Sequence, residues 1–549
     1  MEGFTMKKVI LILLTAFLCL VTACKPNTAS PTGSSAPGVT ATVTGSETVP
    51  PEHATGENIS YPLKNAPTFT WAIAEDATIS TVSHTFAETP YIAELEKRTG
   101  VKLVIQHPTD FSLLFASGDL PDLVTYYPNS YPGGASKMIT DKVASPIEDQ
   151  MHEFAPDFAK AILSNETWRK GSTTPSGNIV GFPMIRGDEK CLVSAGLMIR
   201  KDWLDDLNLE APATPEELVN VLTRFKEEKG ATVPLSISST RVRELFDLGM
   251  FTSPFGIPRG AFFQRDGKVF YGYYMDEYKD YLTFMNNLYT KELLDNNFNT
   301  IDNNIVNANF MNGAAGFTYS SVGGGMGNFL ATMETKDPNY DLMGIPGLVA
   351  KRGDKPMAGQ KESPNQGLFT IITTACKDKE SAMKYLNYNY TEEGHMLNNF
   401  GIEGVSYNMI NGYPTYSDEI MKNPDGLTMQ QAMSKYCRSW AADAFIQDGR
   451  YMEQFGGRPQ QKAALAAWAD NDSDKYLLPY ITLPAEFTAE YSKIASDVNT
   501  YISESYQKFI IGAEPLDTGF DKYMATLKSM GIERMIELQQ MALDEYNSR

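Results

Sequence analysis

From Thr68 onward the chain alternates between short apolar runs and amphipathic stretches of helical period. Thr68-Phe69-Thr70-Trp71-Ala72-Ile73 predicts a strand. Glu88 to Thr99 predicts a helix with Tyr91, Ile92 and Leu95 on one face and Gly100 as its stop. A strand over Val101 to Ile105, a helix over Asp110 to Ser117 and a buried strand over Asp122 to Tyr126 follow. This β-α-β-α-β order argues a parallel sheet covered by helices.

A second series begins near Cys191, with a strand at Leu197-Met198-Ile199 and a helix over Asp202 to Leu207. Thr214-Pro215-Glu216-Glu217 reads as a capping box, and Leu218, Val221, Leu222 and Phe225 then share one helix face. Asp276 is the expected cap of a helix reaching toward Leu294, and Ala314 to Tyr319 a strand ending in a turn from Gly323 to Gly327. Phe369 to Thr373 predicts a strand, Asp378 to about Leu397 a helix, and Gly531 to Tyr546 a closing helix.

The N-terminus follows another pattern. Lys7 and Lys8 precede an apolar run from Val9 to Val21, short of the ~20 residues a membrane span needs, which is secretory-signal geometry. Leu20-Val21-Thr22-Ala23-Cys24 resembles a bacterial lipobox, which would make Cys24 the lipidated first residue of the mature protein. The stretch after it is rich in Ser, Thr, Pro and Gly and cannot bury enough apolar surface to fold, so it reads as a flexible tether.

Over 549 residues, Lys+Arg 47 against Asp+Glu 67 gives a net charge of −20, which repels phosphate backbones and disfavours nucleic acid. Enzyme signatures are sparse. There are 5 His, and none lies four residues after His152-Glu153 to make a zinc helix. Gly323-Gly324-Gly325 lacks the Gly-Lys-Ser/Thr of a phosphate loop, and no G-x-S-x-G elbow occurs. Beyond Cys19 and Cys24, three cysteines remain (Cys191, Cys376, Cys437), read as small buried hydrophobes, with any disulfide among them left open.

Several segments carry a resemblance by their order and spacing. They are Phe115-Ala116-Ser117-Gly118-Asp119-Leu120-Pro121-Asp122-Leu123-Val124, Ser176 to Pro183, Met198 to Leu209 followed by Pro212 to Leu218, Lys377 to Phe400, and Gly401 to Tyr407. Together they resemble the family 1 extracellular solute-binding proteins of ABC importers, in the large lipoprotein branch that handles oligosaccharides. The resemblance implies a type II periplasmic-binding α/β fold of two lobes, a ligand cleft between them, and chain crossings near Ile179 to Arg186, Leu368 to Thr374 and Gly401 to Tyr407. The implied division is a signal peptide over 1–23, a tether over 24–66, the first lobe over 67–182, the second over 183–368, a return to the first over 369–402, and mainly second-lobe and C-terminal helices over 403–549. It further implies an oligosaccharide ligand, permease subunits as partners, a lipid-anchored monomer on the extracellular face of the membrane, and no catalysis or cofactor. A secreted polysaccharide hydrolase or lyase, and a sugar sensor for a membrane kinase, remain open alternatives.

Strand C-terminal ends face the crevice of an open α/β sheet, which selects Glu75, Asp76, Tyr126, Tyr127 and Tyr319 as ligand contacts. Tyr126 also matches the aromatic position that stacks on sugar in related maltodextrin binders. Phe255 and Phe263 are further candidates, Glu403 a ligand contact or hinge brace, and Trp203 a packing residue. Arg438, Trp440 and Asp443 lie in the C-terminal helical region, where related sugar binders supply an aromatic platform, and are expected within one helical turn of each other, so that they serve one sugar unit. Alginate-binding relatives carry a calcium loop where this chain has Glu227-Glu228-Lys229-Gly230-Ala231-Thr232-Val233-Pro234, which lacks alternating oxygen ligands, so no metal is expected there.

Overall fold

The computed structural model describes residues 59–441 and 443–549. The expected signal segment and Cys24 lie outside them. In chain order, β1 (Thr68–Ala72), β2 (Lys102–Gln106) and β3 (Leu123–Tyr126) form the first strands, and β1 pairs parallel with both others. β4 (Phe182–Arg186) belongs to the same sheet. β5 (Ala195–Arg200) starts the second lobe, β6 (Phe262–Arg265) and β7 (Lys268–Tyr271) form a hairpin, and β8 (Phe317–Ser321) and β9 (Leu342–Ile345) flank β5 antiparallel. β10 (Asn365–Ile372) returns antiparallel between β3 and β4. A second hairpin follows, β11 (Tyr407–Ile410) with β12 (Tyr413–Tyr416), and β13 (Ile446–Gln447) closes the first sheet beside β4. The sheet orders are β13-β4-β10-β3-β1-β2 and β8-β5-β9.

Local chemistry explains many elements. Thr214 accepts from the Glu217 amide while Glu217 reaches back to the Thr214 amide, closing the capping box of the helix Pro215–Glu228. Leu218, Val221, Leu222 and Phe225 all face the second-lobe core, where Trp203 meets Phe225 edge-on at 5.2 Å. The helix Tyr278–Thr290 starts without a side-chain cap, because the chain enters through a 3-10 turn in which Asp276 contributes only its carbonyl, to Lys279. The helix expected from Asp378 to Leu397 is two, Lys379–Tyr388 and Glu392–Phe400, because Thr391 caps a new helix by accepting from the Gly394 amide.

The expected tether ends earlier than its composition suggests. Residues 59–66 dock on the first lobe, where the Tyr61 hydroxyl donates to the Lys384 carbonyl at 2.6 Å, its ring meets Tyr388 edge-on at 5.0 Å, and the Leu63 amide donates to Thr99. Tyr61, Pro62 and Leu63 supply the apolar surface that the preceding polar run lacks. No helix among the described residues is long and apolar enough to cross a membrane.

Candidate functional site

The ends of β3 and β4, the start of β10 and the end of β13 share one rim of the first sheet, as their register dictates. The chain also crosses between sheets here, before β5 and before β10. Alternation along β3 sends Tyr126 and Tyr127 to opposite faces. Tyr126 packs on Phe111 at 5.2 Å and Phe115 at 5.0 Å, in a small cluster behind the rim. Tyr127 is 47% exposed, and the charges acting on its phenol, after burial, are Glu362 and Arg186.

Arg186 and Glu362 form an ion pair on the two crossings, and Arg186 Nη1 donates to Gln447 Oε1 at 2.9 Å. Burial pushes the Glu362 carboxyl up, while Arg186 and the amide of Gln360 (3.1 Å) pull it back. Tyr319, in the middle of β8 and 5% exposed, lies under the Arg241 guanidinium at 4.9 Å, and burial pushes its phenol up. Arg259, 7% exposed, completes the group from the second lobe, and burial draws its guanidinium down to about 10. A cavity of about 390 Å³ opens beside these residues, lined by Leu248, Arg259, Glu362, Asn365, Gln366 and Tyr480 among others. A larger hollow of about 590 Å³ lies on the outer side of the first lobe, where residues 59–65 dock, away from this rim.

Of the residues selected from sequence, Tyr127 is exposed just past β3 on the rim, whereas Tyr319 is buried in the second-lobe core. Glu75 and Asp76 lie past the end of β1, on the rim, but their carboxylates are engaged locally. Glu75 accepts from the Ser80 hydroxyl at 2.6 Å and Asp76 from the Thr78 amide at 2.8 Å. Phe255 packs against Tyr281 and Phe284 in the second-lobe core, and Phe263 is fully buried against Phe270, so neither ring is offered to a ligand. Glu403 is exposed in a turn beside Tyr407, whose phenol also senses Arg98.

The segment 437–443 departs most from expectation. The helix Met429–Tyr436 ends before it, and Cys437 to Ala441 form turns. Arg438 and Asp443 are each 3% exposed and face one another at 3.8 Å, with the Arg438 guanidinium 4.4 Å from the Phe86 ring. They form a buried charge pair inside the first lobe rather than polar partners for a ligand. Trp440 alone of the three remains half-buried, packed against the hydrophobic cluster that includes Phe400 and Tyr436.

The glycine run after β8 has a packing reason. A Cβ on Gly323 would come within 1.9 Å of the Phe455 ring, and one on Gly325 within 2.0 Å of Ser320 Oγ. Cys191, Cys376 and Cys437 are free and buried. Within Glu227 to Pro234, Glu228 pairs with Arg224 and Lys229 with Asp206, and no group of three or more potential metal ligands occurs among the described residues.

Sequence reasoning missed Arg186, Arg259, Glu362 and Gln447. Their only local signal is placement, Arg186 ending an apolar run and Arg259 set between Pro258 and Gly260.

Comparisons with known proteins agree with this architecture. Residues 83–396 match the bacterial extracellular solute-binding protein family. The fructooligosaccharide ABC transporter substrate-binding protein FusA of Streptococcus pneumoniae is 24% identical over 535 residues, 90% of this chain and 93% of that one. Lipoprotein LipO of Bacillus subtilis is 22% identical over 81% of this chain and 86% of its own length. Among solved structures, the alginate-binding protein AlgQ2 without calcium superposes with a TM-score of 0.74 at 22% identity, covering 90% of this chain and 100% of that one.

Proposed function

The chain belongs to the bacterial extracellular solute-binding proteins, and from that footing we propose that it captures an oligosaccharide between its lobes and passes it to an ABC importer. The observation that carries this reading is the exposed Tyr127 ring on the same rim as the Arg186–Glu362 pair at the crossings. A sugar has apolar ring faces and hydroxyl edges, so an aromatic face next to charged donors and acceptors suits both. Similarity to FusA, a fructooligosaccharide transporter component, supports the ligand class and the transport partner. In this reading ligand contacts made by both lobes exist only in the closed arrangement, and binding shifts the population toward it without a covalent step. Tyr127 and Trp440 serve as aromatic contacts, and Cys24 carries the lipid that holds the monomer at the outer face of the membrane.

Calorimetric titration with a panel of oligosaccharides, followed by chromatography of the recovered glycan, tests the proposal. The expected result is one ligand per chain, recovered intact, with stabilisation of about 2.7 kcal/mol at a hundredfold excess over Kd. Shortened products would identify a hydrolase or lyase, and a panel without any binding would overturn the proposal.

A further inference from the structure

Arg259 is a buried cation without an ion-pair partner. Among the described residues no carboxylate lies within salt-bridge distance of it, and its one side-chain hydrogen bond is a long one, Nη1 to the Lys361 carbonyl at 3.4 Å. A guanidinium carries five N–H donors, and burying such a charge unpaired costs several kcal/mol. The carboxylates nearest in effect, Asp247 and Glu362, are committed elsewhere: Asp247 accepts from Arg243 Nε at 3.3 Å, and Glu362 pairs with Arg186.

Most of the other polar groups around the same cavity are also occupied. Lys361 pairs with Asp474 at 2.6 Å. Asn365 donates to the Gly171 carbonyl at 2.9 Å and accepts from the Gly367 amide at 2.8 Å, and Gln366 donates to Ser363. The unspent donors beside the cavity are therefore those of Arg259 and the Tyr480 hydroxyl, which has no hydrogen-bond partner. The backbone that carries Arg259 is also held in place. The Gly260 amide donates to the Phe246 carbonyl at 2.8 Å, and Gly272 packs so closely that a Cβ there would sit 2.2 Å from the Arg259 carbonyl. At about 390 Å³ the cavity falls in the range of about 300–1,000 Å³ typical of small-ligand sites.

We infer that the ligand of this cleft bears a carboxylate that Arg259 receives, making it an oligosaccharide that contains uronic acid; the inference rests on the carrier reading above. A guanidinium presents its donors as a planar fork that matches a carboxylate in bidentate fashion, whereas sugar hydroxyls would leave the charge uncompensated. The net charge of −20 does not oppose this. Exposed charges are screened beyond about 8 Å at physiological ionic strength, while a buried guanidinium is screened far less.

The test compares tetramers of galacturonic, glucuronic and mannuronic acid with their methyl esters, which keep the rings and remove the charge, alongside neutral tetramers. Titration of the wild-type protein is expected to favour at least one free acid over its ester by about tenfold or more, the yield of one charge-assisted contact. Arg259→Gln should erase that preference, and Arg259→Lys, which keeps the charge without the fork, should retain part of it. If Arg259→Gln does not fold, the wild-type preference together with the Arg259→Lys result decides. A wild-type protein that binds neutral tetramers or esters as well as acids overturns the inference and leaves the carrier reading standing. A preference that survives Arg259→Gln likewise overturns it, and failure of every glycan to bind overturns both.

Discussion

Removing the Asp443 carboxylate should destabilise the protein without touching the ligand. Asp443 and Arg438 are each 3% exposed and 3.8 Å apart, and Arg438 Nε and Nη1 have no hydrogen-bond partner. Asp443 accepts from the Ala444 amide at 2.7 Å and lies by Thr370, whose hydroxyl meets Thr125 at 2.7 Å, which in turn accepts from Trp71 Nε1 at 2.9 Å. In Asp443→Ala the guanidinium stays buried with no counter-charge, a loss of about 3–5 kcal/mol for breaking one side of a buried pair. Arg438→Met should cost somewhat less, because burial already pushes the Asp443 carboxyl up and a lone acid there can take a proton. The double variant Arg438→Met with Asp443→Leu should fall well short of the sum of the two single losses, since no charge remains to be stranded. Urea unfolding of the three variants measures the losses, and calorimetric titration of each gives its affinity. An Asp443→Ala protein of wild-type stability that no longer binds oligosaccharide would refute this reasoning and make the pair a ligand site.

Three further predictions follow from named contacts. Trp440→Ala should weaken oligosaccharide binding by about 2 kcal/mol, roughly 30-fold in Kd, with little change in melting temperature; a loss of about 3–5 kcal/mol of stability at unchanged affinity would make Trp440 core instead. Burial raises the Asp448 carboxyl, but bonds from His395 Nε2 (2.9 Å) and Arg450 Nε (2.9 Å) outweigh it, so the net shift is well below the usual 3.8. Its stabilisation is therefore present above pH 3.8 and lost as pH falls below that value, and Asp448→Asn should cost about 1.5–3 kcal/mol at neutral pH while flattening the acid limb of the stability profile. Cys24→Ala should shift the protein from the membrane fraction to the medium with its ligand affinity intact, and retention on the membrane after signal cleavage would count against the anchor.

What the sequence reveals depends on the range of the determining interaction. The helix Pro215–Glu228 is legible because its cap, its proline and its apolar face all lie within the element. The placement of Tyr127 on the rim is legible because it directly follows the C-terminal end of β3. The break between Tyr388 and Glu392 is less so, since the apolar pattern runs on through it and only the Thr391 cap marks the restart. Arg438, Trp440 and Asp443 suit a sugar by residue type, yet a tertiary contact with Phe86 draws the two charges inward. Glu362 meets Arg186 across a long sequence separation, and nothing local to either residue announces the pair.

The most direct test of lobe closure on an oligosaccharide is a distance between the lobes. Leu113, 68% exposed on the helix Phe111–Ser117, and Ile305, 46% exposed on the helix Asn303–Met311, accept spin labels as Leu113→Cys and Ile305→Cys in a Cys24→Ala background. Cys191, Cys376 and Cys437 are buried and should not compete for label. Double electron–electron resonance should show the distance shortening when a bound oligosaccharide saturates the protein, with the glycan recovered intact. A saturating oligosaccharide that leaves the distance unchanged, or that is recovered cleaved, would contradict capture by closure.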